Sequence, residues 1–150
     1  MKKITDLLDE MEKRLPSQVT SKAEVSRSNV GWHIEHSLIT INLIVGALQK
    51  SKSEDYKWRP NYKWMIIKTI GMIPRGRGRA PKVVQPINFN SESLKKHLET
   101  TRIKVQELKT CHTNSFFFHP YFGNLNLKPT IKFLEIHTKH HLKIINDILI

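Results

Sequence analysis

The chain has 150 residues, of which 39% are hydrophobic, a size and composition that suit one domain with a buried core. The single cysteine, Cys111, excludes an internal disulfide and a cysteine-based zinc site, and no apolar run reaches the length of a membrane span. The net charge is +12, which favours a polyanionic partner, but the lysines are scattered over every predicted helix. A solvated basic surface is therefore the preferred interpretation.

The N-terminus and the even composition set two further expectations. Asp6, Asp9 and Glu10 stand where an export signal would be apolar, so we expect a cytoplasmic protein. Nothing in the composition marks a boundary, so residues 1–150 are expected to form one domain.

The first helix is predicted from the spacing of its apolar residues. These recur at steps of three and four between Ile4 and Leu15, which indicates an amphipathic helix packed on a core. Pro16 is expected to end it. A polar connection follows, and it offers three candidate caps for the next helix, Ser26, Ser28 and Asn29.

The second helix is predicted from about Val30 to Lys50. Polar residues seven positions apart define a narrow solvent stripe on it, and nearly all other positions are apolar or small, as in a mostly buried helix. The stripe consists of Glu35, Asn42 and Gln49.

The middle of the chain is less regular. Tyr62–Ile73 is apolar enough to form another helix on the outside of the others, and glycine and proline mark Pro74–Lys82 as a loop. The loop carries Arg75, Arg77 and Arg79 but matches no phosphate-binding motif. A flexible basic loop is the preferred interpretation, and an anion-binding lip of a site is the alternative.

A third long helix is predicted to begin at a cap, Asn90 or Ser91, and to run to about Thr110. Cys111–Asn126 is predicted to be a loop whose aromatic side chains cover one end of the core. Stacking of these rings on nucleic-acid bases is less favoured, because no regular basic residues accompany them. Pro129 suits the first turn of the final helix.

The final helix contains the most informative pattern. Projected at about 100° per residue, His137 and His141 lie in the middle of its apolar arc, and His140 lies at the edge. One inward histidine is commonly a hydrogen-bonded core residue. Two inward rings each cost on the order of 1–3 kcal/mol without a partner. A divalent metal ion would satisfy both, because this spacing puts two imidazole nitrogens within reach of one ion.

The second helix offers a third ligand. His33 and His36 both avoid its polar stripe, and periodicity alone does not choose between them. Three protein ligands with open positions are typical of a catalytic metal. Four long helices without a strand pattern or an internal repeat predict an all-α fold, a four-helix bundle with long crossover connections.

Several segments together resemble the DinB/YfiT-like superfamily. The three segments that resemble it are Val30–Leu38, with the sequence VGWHIEHSL, Phe118–Gly123, with FHPYFG, and His137–His141, with HTKHH. The loop at Pro74–Pro81 resembles that of the small bacterial members. The resemblance spans essentially the whole chain. It implies a four-helix bundle that holds a divalent ion, often nickel or zinc, through one histidine of the second helix and two of the last.

Carried over position by position, the resemblance implies His36, His137 and His141 as the metal ligands, with His33 and His140 as neighbours. Some members are transferases or isomerases that use a low-molecular-weight thiol, and others have no assigned activity. The leading hypothesis is a thiol-dependent transferase or a hydrolase whose ion lowers the pKa of a bound thiol or water. The loop arginines would attract an acidic cosubstrate.

Two alternatives stay open. The ion ties two helices together without catalysis, or the protein is a basic bundle that binds nucleic acid. In the leading hypothesis we expect a small-molecule substrate and a homodimer, with neither nucleic acid nor a membrane as partner. Glu35 adjoins the implied ligand but lies on the solvent stripe, so it is given no catalytic role.

Overall fold

The computed structural model describes residues 2–76 and 80–150. Within these ranges the chain forms five α-helices and one small antiparallel sheet of two strands, so the fold is mostly helical. The elements in chain order are α1 Lys2–Glu12, α2 Val30–Lys50, α3 Tyr62–Ile70, α4 Ser91–Glu107, β1 Phe116–His119, β2 Gly123–Asn126 and α5 Leu127–Leu149. None of the helices in this part of the chain combines the length and low polarity that crossing a bilayer requires.

The four longest helices share one hydrophobic core. α2 packs against α4 and α5, and α1 packs against the same two helices. Each helix contributes fully buried side chains at three- and four-residue spacing, and each such burial stabilises the fold by about 1.5–3 kcal/mol. Examples are Ile4 and Leu8 of α1, Ile34 and Leu38 of α2, Leu94 and Leu98 of α4, and Leu134 and Ile145 of α5.

Three predicted helix ends differ from the structure. α4 ends at Glu107, before the predicted end near Thr110, and Leu108–Thr110 form a separate 3₁₀ turn. α1 ends at Glu12, and Leu15 lies in a separate 3₁₀ turn that includes Pro16. α3 ends at Ile70, before the predicted end, because Gly71 adopts a left-handed conformation with φ of 70°.

Capping and one close approach fix the start of α2. The Asn29 side chain accepts a hydrogen bond from the Trp32 N–H, so Asn29 is the cap among the three candidates. The Gly31 N–H donates to the Gln18 carbonyl at 2.8 Å. A Cβ at Gly31 would lie 2.5 Å from the Phe89 ring, so only glycine fits without a shift. This first turn sets the position of the histidines that follow it.

The polar stripe of α2 faces α4. The His97 Nδ1 lies 2.9 Å from both carboxylate oxygens of Glu35, and the Asn42 amide lies 2.7 Å from His97 Nε2. The exposed side of α2 instead includes Leu43, which is 44% exposed. The prediction that Glu35 faces solvent was wrong, because a helical projection groups residues by face but does not say which neighbour covers that face.

The segment predicted as the loop Cys111–Asn126 contains the hairpin of β1 and β2, so the all-α expectation missed one small sheet. Phe117 pairs with Leu125, and both are buried. Phe118, on the opposite face, is 69% exposed. The predicted cover of the core by aromatic side chains is confirmed for Phe117, and Phe122 packs against the same core.

Candidate metal centre

Four histidines meet between α2 and α5. His33 and His36 lie one turn apart on α2, and His137 and His141 lie one turn apart on α5. The rings of His36 and His141 are 4.6 Å apart between centroids, as are those of His137 and His141. The helix periodicity that places Ile34 and Leu134 in the core places these rings toward the neighbouring helix.

Three of the four rings are arranged around one point. One nitrogen from each of His36, His137 and His141 lies within 4.8 Å of the other two, and the Nε2 atoms of His36 and His137 are 3.3 Å apart. An ion bound tetrahedrally to imidazole at about 2.0–2.1 Å holds its ligand atoms about 3.3 Å from one another. The donor set therefore fits a divalent metal ion once its nitrogens adjust from within 4.8 Å to this spacing.

The hydrogen bond of His36 determines which of its nitrogens can bind an ion. Its Nδ1 lies 2.8 Å from the Val84 carbonyl oxygen, so Nδ1 carries the proton and donates. The lone pair then lies on Nε2, which faces His137. The Trp32 ring stacks on His36 with centroids 5.0 Å apart and 9° between planes. A ring N–H held by a backbone carbonyl is the usual outer contact of a metal-binding histidine.

His33 contacts His141 and not the shared point. The two Nδ1 atoms are 3.0 Å apart, and His33 Nε2 lies 2.9 Å from the Ser26 hydroxyl oxygen. That oxygen also accepts a hydrogen bond from the Ser28 N–H. When His33 Nε2–H donates to Ser26, His33 Nδ1 accepts from His141 Nδ1–H. The lone pair of His141 then lies on Nε2, the nitrogen left for an ion.

His137 is poorly explained as an ordinary core residue. Its Nδ1 is shielded from solvent and has no hydrogen-bond partner in the described part of the chain. Its Nε2 faces only another imidazole, that of His36. A histidine whose role is to bridge core polar groups would pair both nitrogens, because an unpaired buried polar atom costs about 1–3 kcal/mol.

All four rings are neutral near pH 7. Burial, followed by the neighbouring histidines, holds the pKa of His137 and His141 well below the ordinary 6.5. Burial lowers the pKa of His36 as well, against the opposing effect of the hydrogen bond that His36 donates to the Val84 carbonyl, and it lowers the pKa of His33 to about 4. Neutral imidazole is the form that binds metal, so no proton has to be displaced.

The hairpin brings a further histidine to the edge of the centre. The His119 ring stacks on Phe122 at 4.3 Å and meets the edge of Phe133 at 4.7 Å, and Phe133 lies 5.6 Å from His137. His119 Nδ1 accepts from the Tyr121 N–H, so the proton is on Nε2. Burial lowers the pKa of His119 to about 4. Apart from the resemblance of its segment, no sequence pattern predicted a role for this ring.

The segment after α3 reaches the outer side of the centre. Burial and then the Arg75 charge lower the pKa of His140, and the Ile73 backbone opposes this shift. Arg75 Nη2 donates to Asp147 at 2.6 Å, in a half-exposed ion pair. Arg77 and Arg79 lie outside the described residues. For the alternative of an anion-binding lip, Arg75 is the one loop arginine within the described residues, and it already has an acidic partner in Asp147.

Comparison of the chain with protein-family models, with curated proteins and with solved structures found no match. The class of protein is therefore defined by what the fold and the site contain: a mostly helical protein with three histidines positioned to bind a metal ion. The three ligands implied by the resemblance, His36, His137 and His141, are the histidines that offer one nitrogen each within 4.8 Å of the other two. The contact of His33 with His141 was missed, since spacing within one helix does not reveal a partner on another.

Proposed function

We propose that the protein is a divalent-metal enzyme of the DinB-like superfamily, built on a four-helix bundle of α1, α2, α4 and α5. His36, His137 and His141 hold the ion, with nickel and zinc as the favoured metals. The observation that carries the proposal is the convergence of three neutral imidazoles, from two helices, with ligand atoms within 4.8 Å of one another.

The proposed reaction is transfer of a low-molecular-weight thiol to an electrophile, or hydrolysis by water. The bound ion would lower the pKa of that thiol or water and so supply the nucleophile near neutral pH. Three protein ligands leave a position for it. The chain's own groups orient the ligands: the Val84 carbonyl holds His36, and His33 holds His141. Trp32 and Phe133 lie against the ligand rings, where they limit the access of bulk water.

A second function is supported by one contact. His33 lies 3.0 Å from His141, and a turn of the His33 side chain would offer a fourth imidazole. A closed site with four protein ligands is the arrangement of a structural metal, which would tie α2 to α5 without catalysis. Exchangeable water on the bound ion, detected by relaxation of solvent protons around a paramagnetic substitute, distinguishes the open site from the closed one.

The test is metal content, measured by elemental analysis on protein purified without a histidine tag. We expect near-stoichiometric metal in the wild type and its loss in His36→Ala, His137→Ala and His141→Ala. His112→Ala is the matched control, because His112 is exposed on the surface. Wild type that stays metal-free after reconstitution with nickel and zinc would overturn the proposal. Metal-loaded protein that is inert toward thiols with electrophiles, and toward esters and amides, would favour the structural role.

The buried apolar residues form one cluster, which supports a single domain over residues 1–150. The cytoplasmic location and the homodimer stay predictions. Binding of nucleic acid is tested by affinity at low salt and its decline as salt rises.

A further inference from the structure

Helix α3 carries an apolar stripe that points away from the protein. Five residues at positions i, i+3, i+4, i+7 and i+8 form it, the spacing of one helix face. The four large ones are exposed by 52–72% of their surface. The stripe, called the outer face of α3 below, consists of Tyr62, Met65, Ile66, Thr69 and Ile70. An apolar helix face normally points inward, so a contiguous exposed one indicates an interaction site.

The opposite face of α3 fixes the helix to the body of the protein. Trp64 is 8% exposed and its ring lies 5.5 Å from that of Phe122, and Ile67 packs against the core. The Asn61 side chain caps the first turn at the Trp64 N–H, and Gly71 donates to the Ile67 carbonyl at the last. The helix is therefore regular and anchored, so its outward stripe belongs to the folded structure.

Basic residues border the outer face. On a projection at about 100° per residue, Lys63 and Lys68 lie on the two sides of the stripe, between it and the inner face. Both lysines are exposed. Residues 56–76 contain five basic residues and no acidic one, within a chain of net charge +12. The five are Lys57, Arg59, Lys63, Lys68 and Arg75.

We propose that the outer face of α3 docks on an anionic membrane surface. The apolar stripe would enter the boundary between headgroups and acyl chains, and Lys63 and Lys68 would contact the lipid phosphates. An apolar face bordered by lysines, on a helix lying in the plane of the membrane, is the pattern of interfacial binding. Tyr62 suits this boundary because its ring is apolar and its hydroxyl is polar. The proposal does not depend on the metal centre.

A second copy of the chain fits the outer face less well. Pairing of two α3 helices would bring the lysines of both copies together, between two molecules that each carry +12. At about 1.5 Å per residue the nine-residue helix is about 14 Å long. One side of so short a helix is far smaller than the roughly 800 Å² per partner of a stable protein interface. A lipid surface attracts the basic charge and sets no such minimum area.

The expectation that no membrane takes part rested on the length of apolar runs. That criterion tests for segments that cross a bilayer, and it does not test for helices that lie on one. The outer face of α3 is too short to span and has the charge pattern of surface binding. The described residues can therefore lack a membrane-spanning helix and still bind a membrane surface through α3.

Vesicle flotation of the full chain tests the proposal. The probes are phosphatidylcholine vesicles with and without phosphatidylglycerol, at low and at high salt. We expect binding to the anionic vesicles that weakens at least about tenfold without phosphatidylglycerol and falls with salt. Met65→Glu/Ile66→Glu should abolish binding, and Lys63→Glu/Lys68→Glu should remove the preference for anionic lipid. Ile103→Glu is the matched control, because Ile103 is 66% exposed on α4.

Three results would overturn the proposal. The first is wild type that does not float with anionic vesicles. The second is binding that survives Met65→Glu/Ile66→Glu, which would assign it to net charge alone. The third is a lipid-free dimer in analytical ultracentrifugation that the same variant abolishes, which would assign the outer face to a second copy. Circular dichroism of each variant is the check that its helices are intact.

Discussion

The centre between α2 and α5 and the outer face of α3 reverse the ordinary placement of residues in opposite ways. The centre holds His33, His36 and His141 at 3–7% exposure inside the protein, and α3 holds Met65 and Ile70 at 58–62% on its surface. Buried polar rings cost free energy, and so do exposed apolar side chains. Each placement therefore points to a ligand that offsets its cost: a cation inside, and an apolar anionic surface outside.

Removal of the ion should produce the largest effect. An ion that binds only the folded state, at a concentration about a thousandfold above its Kd, stabilises the protein by about 4 kcal/mol. We expect chelation to lower the urea midpoint of unfolding accordingly. In Met65→Glu/Ile66→Glu, chelation should lower the midpoint by the same amount as in the wild type. If chelation leaves the midpoint of the reconstituted wild type unchanged, the centre does not hold an ion.

Acid should destabilise the metal-free protein. The rings of His33 and His119 have pKa values of about 4 in the folded state against the ordinary 6.5, so the unfolded chain takes up protons first. The stability that these two rings contribute is present above pH 6.5 and is lost as the pH falls toward 4, by on the order of 2–3 kcal/mol for each ring. Urea titrations across this range measure the fall. His119→Phe should make it shallower, and an unchanged slope would mean that His119 is not buried in solution.

The first turn of α2 should tolerate no added methyl group. Gly31→Ala places a Cβ 2.5 Å from the Phe89 ring and 3.0 Å from the Gln18 carbonyl, and such overpacking costs about 1–3 kcal/mol. Gly46→Ala is the control within α2, because nothing lies within 4 Å of its added Cβ, and it should stabilise the protein by about 0.5–1 kcal/mol. Equal urea midpoints of unfolding for the two variants would contradict the close approach of Gly31 to the Phe89 ring.

Loss of His33 should weaken metal binding without abolishing it. An outer residue that orients a ligand typically changes metal affinity 10- to 100-fold. We expect His33→Ala to bind the metal 10- to 100-fold more weakly than the wild type, as measured by competition with a chelating dye. His97→Ala removes a ring that contacts Glu35 in the same protein and should leave the affinity unchanged. Complete loss of metal in His33→Ala would identify His33 as a fourth ligand, and no loss would leave it a core residue.

The smallest effect on stability is expected at α3. Met65→Glu/Ile66→Glu changes two exposed side chains, so the free energy of unfolding should move by no more than about 0.5 kcal/mol per site. The same variant is the one expected to lose vesicle binding. A large loss of stability would mean that the outer face is covered within the protein in solution.

Parts of the centre were predictable because they depend on one helix. The spacing of His137 and His141 within α5 places both on the apolar arc, and local chemistry puts Asn29 and Asn90 among the candidate caps. Assigning His36 in preference to His33 required the family resemblance. That family membership stays a prediction.

Local pattern by itself predicted the existence of the helices, candidates for their caps, the inward histidines of α5 and the apolar character of α3, because each depends on neighbours within one or two turns. Tertiary structure alone decided which partner each face meets. It turned Glu35 toward His97, set His33 behind His141 and left the α3 stripe uncovered. Periodicity assigns residues to a face, and only the packing of whole helices determines whether that face meets a core, another polar helix or solvent.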